Sequence, residues 1–316
     1  MQFPPIEPYQ SGYLSVDSQH TLYYEQCGNP RGIPVLFVHG GPGSGCTTAH
    51  RRLFHPNHYR IILVDQRGCG RSQPHTSLIE NTTDHLVNDF ERLRDHLKIE
   101  KWLLLGGSWG STLSLIYSIR HPNAVLGLIL RGIFLARPDE ITWLTQAGAH
   151  HMAPEAWATF IAHLTHSEQT AILSSYYHRL THKNPIVQQQ AAKHFVNWEH
   201  AISTLTPKPR TPDTDQDLAL ARIEAHYLHH SCFIKHTPIL DHIKALQHLP
   251  IDIIQGRYDL VCPPRSAFEL FKALPQSTLT LTHAGHAFDE TETQQALIQA
   301  TEDFRQRDLT LSGYDK

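Results

Sequence analysis

Chemistry in this chain would turn on Ser108. It lies in "LLLGGSWGSTLSL", residues 103–115, where an apolar run gives way to a helix-like pattern. Gly106-Gly107-Ser108-Trp109-Gly110 fits G-x-S-x-G, in which a sharp strand-to-helix turn holds a serine hydroxyl clear of the backbone. A solvated Gly/Ser turn would match the same five residues. The strand-like run before it and the helical pattern after it favour a nucleophile. Such a serine needs a base, and the base needs an orienting group. Two late segments can supply them: "IIQGRYDLVCPP" places Asp259 just past one strand, and "LTLTHAGHAFDE" places His286 beyond the next. His283 is the rival base, but it sits closer to the strand, whereas Gly285 gives His286 loop freedom. Asp259 could also serve simply as a turn-former. Cys262, three residues past Asp259, reads equally as a small core residue or as a thiol whose modification would distort that loop.

A tetrahedral intermediate needs hydrogen-bond donors. "VHGGPGSG" follows the first central strand, and its glycines let backbone N–H groups approach a substrate. Together with the residue after the nucleophile, this assigns the oxyanion donors to Gly41 and Trp109. A nucleotide-binding loop is excluded, because no Lys-Ser/Thr pair follows and no G-x-G-x-x-G opens a helix.

Two glutamates fall on apolar helical stripes. In "AAKHFVNWEHAIS" Glu199 lies four residues after Phe195 and three before Ile202. In "LALARIEAHYLHH" Glu224 lies four after Leu220 and three before Tyr227. Unpaired carboxylates are costly to bury. They are either ion-paired, with Arg131 or Arg222 as partners, or set where a stripe ends at solvent, or they await a cation such as a substrate ammonium. Arg131 ends the strand after the nucleophile strand, a place from which it would neutralise the pair in an empty site.

These residues need a scaffold. The chain has 316 residues, a formal charge of -3 and 40% hydrophobic residues, which suits an ordinary globular protein with a large core. That balance gives no electrostatic footprint for nucleic acid or an anionic membrane. The start "MQFPPIEPYQ" has no basic segment or apolar core of a signal peptide, and the apolar runs are strand-sized. Five cysteines without ligand spacing suit a reduced cytoplasmic setting. The 25 histidines include the pairs His150-His151 and His229-His230, yet no H-E-x-x-H occurs and no metal site is expected.

"YLSVD" and "TLYYEQCG" read as an antiparallel pair. "VLFVHGG", "RIILVDQRG", "WLLLGGS", "LGLILRGIF", "IDIIQGRYD" and "LTLTHAGH" read as buried parallel strands, several separated by helical patterns. Between Pro138 and about Lys235 the strand signal disappears. The expected architecture is a mostly parallel α/β sheet of about eight strands, formed by residues 1–137 and 237–316, with residues 138–236 inserted as an all-helical cap.

"HGGPG", "YRIILVDQRGCGRS", "GGSWGSTLSL", "RGIFLARPDEITW", "WE", "GRYDLVCP" and "AGH" together resemble the prolyl aminopeptidase (proline iminopeptidase) family, serine peptidases of the α/β-hydrolase fold. The resemblance covers nearly the whole chain. It implies removal of N-terminal proline from short peptides through a prolyl-enzyme, without metal or cofactor. Carried over by motif, Ser108, Asp259 and His286 form the triad and Gly41 and Trp109 the oxyanion site. Glu199 and Glu224 bind the amine, and Arg131 and Phe134 line the pocket. The chain departs where Leu144 and Thr145 follow Trp143, where Ala225 follows Glu224, and at Leu228, where members often carry aromatics. The rival readings are a capped carboxylesterase or amidase that lacks an amine anchor, and a ligand receptor on a hydrolase scaffold.

Overall fold

The computed structural model describes residues 2–206 and 209–311. Eight strands form one sheet in the order β1-β2-β4-β3-β5-β6-β7-β8. β1 (Gln10–Ser15) and β2 (Thr21–Gly28) form the expected antiparallel pair, and β2 also runs antiparallel to β4 (Tyr59–Val64). β3 (Ile33–Val38), β4, β5 (Trp102–Ser108), β6 (Val125–Ile133), β7 (Ile251–Gly256) and β8 (Thr278–Thr282) are parallel neighbours. β5 and β7 are buried along their whole length, and the run Trp102–Leu105 of β5 is accordingly apolar without alternation.

Helices cover both faces. α1 (Thr48–Arg51) and the C-terminal α11 (Thr291–Leu311) enclose one core, where Leu53, Leu297 and Phe304 meet Leu103 and Leu105 of β5. α2 (Thr83–His96), α3 (Trp109–Arg120) and α10 (Pro264–Ala273) enclose the other, where Phe90, Leu113 and Leu270 share a core with Trp102 and Leu104. Alternate residues of β5 thus feed opposite cores, as the period of a strand requires.

Between β6 and β7 the described chain forms helices and no strand. These are α4 (Pro138–Thr145), α5 (Pro154–Ala162), α6 (Ile172–Leu180), α7 (Pro185–Ser203), α8 (Thr214–His229) and the short α9 (Ile239–His242), with single 3₁₀ turns between them. Prolines at the first turns of α4, α5 and α7 sit where a missing N–H costs nothing. A cluster of Phe160, Tyr176, Phe195 and Trp198 packs α5, α6 and α7 together, with the Phe160 and Tyr176 rings stacked 4.5 Å apart. Among the described residues, no helix is long and apolar enough to cross a membrane.

Candidate active site

Ser108 ends β5 and immediately precedes α3, with φ 58° and ψ -127°. A non-glycine residue in this sparsely populated region stores roughly 1–3 kcal/mol of strain, tolerated only where the surroundings enforce it. Enforcement comes from two glycines. A Cβ on Gly106 would strike the Gly110 carbonyl, and a Cβ on Gly110 would strike the Val38 carbonyl of β3. β3, β5 and α3 are therefore pressed together, and the serine takes up the corner. The amides of α3's first turn, including that of Trp109, lie at a helix N-terminus, which favours negative charge.

The loop after β3 carries Gly41 at φ +100°. Gln66, which follows β4, ties this loop to the serine corner. Its Nε2 donates to the His39 carbonyl (2.9 Å), its Oε1 accepts from Trp109 Nε1 (3.0 Å), and its backbone N–H donates to His39 Nε2 (3.0 Å). The indole of Trp109 is fully buried and meets Tyr227 edge-on at 4.8 Å, so its ring is taken up in the core.

Asp259 and His286 meet as the sequence order suggested: His286 Nδ1 lies 2.8 Å from Asp259 Oδ2. The carboxylate also accepts from Gln255 Nε2 (3.1 Å) and from the N–H groups of Val261 (3.0 Å) and Cys262 (2.7 Å). Four donors around one buried acid hold it fixed. Among the described residues, no hydrogen bond joins Ser108 to His286. Arg131 Nη1 stands 3.3 Å from His286 Nε2 and donates to the His286 carbonyl at 2.7 Å. Contacts between nucleophile and base often close only when substrate is bound. Cys262 is buried beside Ser108, and burial pushes its thiol well above the ordinary value, so it is a poor nucleophile itself.

Glu199 and Glu224 approach each other across α7 and α8. Each has a buried Oε2 without a hydrogen-bond partner. Burial raises both carboxyls, and the charge of Glu199 pushes Glu224 further, well above the ordinary range. Two adjacent buried carboxyls that lack a cation favour sharing a proton. Neither suggested arginine neutralises them. Arg222 donates to the Leu180 carbonyl and Arg131 is engaged with His286. The expectation for Arg131 is corrected accordingly: β6 points it at the base, over Gly107, rather than at the acids.

A cavity of about 370 Å³ joins Gly41, Ser108, Arg131, Glu199 and His286. Glu224 and Phe134 are not among its walls. Glu224 is buried beside Glu199, and Phe134 is buried, its carbonyl accepting from Thr112 Oγ1 and its N–H donating to Ser111 Oγ. α7 is also tied to the base. The Ser203 carbonyl at its end accepts from the N–H groups of His286 (2.7 Å) and Ala287 (2.8 Å). Gln66, Gln255 and this carbonyl were not singled out in the sequence. "DQRG" and "IIQGRYD" contain the two glutamines, but nothing in those strings announces a tertiary bridge.

The histidine pairs form ring contacts: His150 and His151 lie 4.0 Å apart, and His229 stacks on Tyr177 at 4.4 Å. Among the described residues, one group could gather metal ligands: Asp17, His20 and Glu80. Arg67 Nη1 already sits 2.7 Å from Asp17 Oδ2 and would repel a cation there.

The sequence profile of the alpha/beta hydrolase fold family matches residues 33–292. A probable proline iminopeptidase from Leptolyngbya boryana is 48% identical over 308 residues, covering 96% of each chain. The chain belongs to the proline iminopeptidase family. Members from Arabidopsis thaliana and Neisseria gonorrhoeae are 45% and 44% identical, covering 95% of this chain and 81% and 98% of theirs. In fold, the chain resembles the crystal structure of a proline iminopeptidase from Mycobacterium smegmatis (TM-score 0.59, 16% identity, 96% and 100% of the two chains). A thermophilic esterase from Thermogutta terrifontis is as close in fold (TM-score 0.59, 20% identity, 94% and 98%).

Proposed function

We propose that this chain is a prolyl aminopeptidase, a serine exopeptidase acting on short peptides with a free N-terminal proline. Residues 138–236 form the cap that carries its amine site. The cationic terminus enters against Glu199, with Glu224 beside it, and takes the place of the shared proton. Phe134 stands on the prolyl side, and the prolyl carbonyl lies against Ser108. His286 Nε2 accepts the hydroxyl proton as Oγ attacks. Asp259 holds the Nδ1–H tautomer, and the N–H groups of Gly41 and Trp109 receive the oxyanion. His286 then protonates the departing amine, and water, activated by the same imidazole, hydrolyses the prolyl ester. Arg131 holds the His286 loop by its carbonyl and must release Nε2 for the serine. The paired, unpartnered carboxyls beside Ser108 and His286 carry this reading, because a hydrolase for neutral acyl groups has no use for them.

The test compares proline naphthylamide with its N-acetyl counterpart. The free amine should be cleaved at least about 100-fold faster, since capping leaves the two acids buried without a cation. Comparable rates would favour an esterase or amidase without an amine anchor.

A further inference from the structure

In the reading above the amine sits at Glu199. The cavity that Glu199 and Ser108 line is also walled by Leu53, Leu105 and Leu297 of the core beneath α1 and α11. Three rings shape its wall. Phe37 stacks on His50 with centroids 4.1 Å apart and planes at 19°, and Phe288 leans on His50 at 4.9 Å. His50 is 7% exposed, and its Nδ1 accepts the Thr47 N–H at 3.0 Å, which leaves the ring proton on Nε2. No acceptor for that proton is found among the described residues. Burial, with the Arg131 charge nearby, pushes the imidazole down to about 3, so it stays a neutral donor.

Phe288 lies two residues beyond His286, which hands its proton to the leaving amine. The departing residue must therefore pass along this wall. We infer that the space among Phe37, His50, Leu53, Leu105, Phe288 and Leu297 is the leaving-residue subsite. It takes a large apolar or aromatic side chain at the peptide's second position, and His50 Nε2–H donates to that residue's carbonyl. The inference rests on the aminopeptidase reading above.

The experiment measures kcat/KM of the full chain on Pro-Phe-amide and Pro-Gly-amide. Phe should be favoured about tenfold or more, the discrimination expected of an apolar pocket. Leu297→Trp, which fills the space, should bring the ratio close to one. Because the ratio is taken within a single variant, loss of folded protein cancels. His50→Phe keeps the stack but removes the donor, and should lower turnover of both amides relative to proline naphthylamide, whose leaving group has no carbonyl. Equal rates on the two amides in the wild type, or a ratio unmoved by Leu297→Trp, would overturn the subsite and leave proline release intact. An unchanged balance in His50→Phe would overturn the donor role. Release of proline from neither amide would overturn the subsite together with the reading beneath it.

Discussion

Glu199 shows how a charge acquires meaning from its neighbour. Alone on an apolar stripe it could be an ion pair or the edge of a solvated face. Opposite Glu224, with a buried oxygen on each left unpartnered, it becomes half of a cation site under the assignment proposed above. Glu199→Gln tests this without opening a hole, because the new amide can donate to Glu224. Turnover of proline naphthylamide should fall about 100-fold more than turnover of a small uncharged ester, consistent with losing a buried partner of a charge. Equal losses on the two substrates would mark the residue as structural. The stripes themselves were readable in the sequence, since Phe195, Ile202 and Tyr227 are buried as the helical spacing requires. The pairing was not, because it depends on how α7 and α8 cross. Gln66 and Gln255 were invisible for a similar reason. An amide has no characteristic spacing, and its bridges run to residues 27 and 43 positions away for Gln66 and 122 for Gln255.

At the level of elements, the apolar runs announced β3 to β7 because strands buried on both faces cannot alternate. The antiparallel β1–β2 pair was legible from alternation. What positions the chemistry is finer than the presence of those elements. α3 reaches the sheet only because Gly110 lacks a Cβ against the Val38 carbonyl. Gly110→Ala would push α3 from β3 and shift the Trp109 N–H relative to Gly41, whose loop springs from β3. Overpacking of this kind costs about 1–3 kcal/mol. A lower melting temperature and at least a tenfold loss of kcat in the folded fraction are expected. Wild-type kcat and stability together would show that the corner does not depend on that close approach.

The whole molecule carries an acid liability that its histidine count alone did not reveal. His50 is held down to about 3, and His163 and His226 to about 4, each chiefly by burial; His39 is also lowered, and burial leads there too. Unfolding frees these rings to bind protons near pH 6.5, so the unfolded state takes up more protons than the native one below that value. Their contribution is fully present above about pH 6.5 and declines as pH falls towards 4. The raised Glu199–Glu224 pair works oppositely, losing stability as pH rises past the ordinary glutamate value, but it is outnumbered by the lowered histidines, which also include His58, His194 and His229. Thermal melts should therefore show a falling transition temperature from pH 7 to pH 5. A flat profile over that interval would contradict the burial of these rings as neutral groups.

The bond between the end of α7 and the His286 loop makes roof and base a single mechanical unit. Under the assignment proposed here, raising the roof far enough to thread an uninterrupted polypeptide beneath it would drag the imidazole out of line. On that assignment the interlock would spare folded proteins and the interiors of long chains, because only a loose end reaches the serine without lifting the roof.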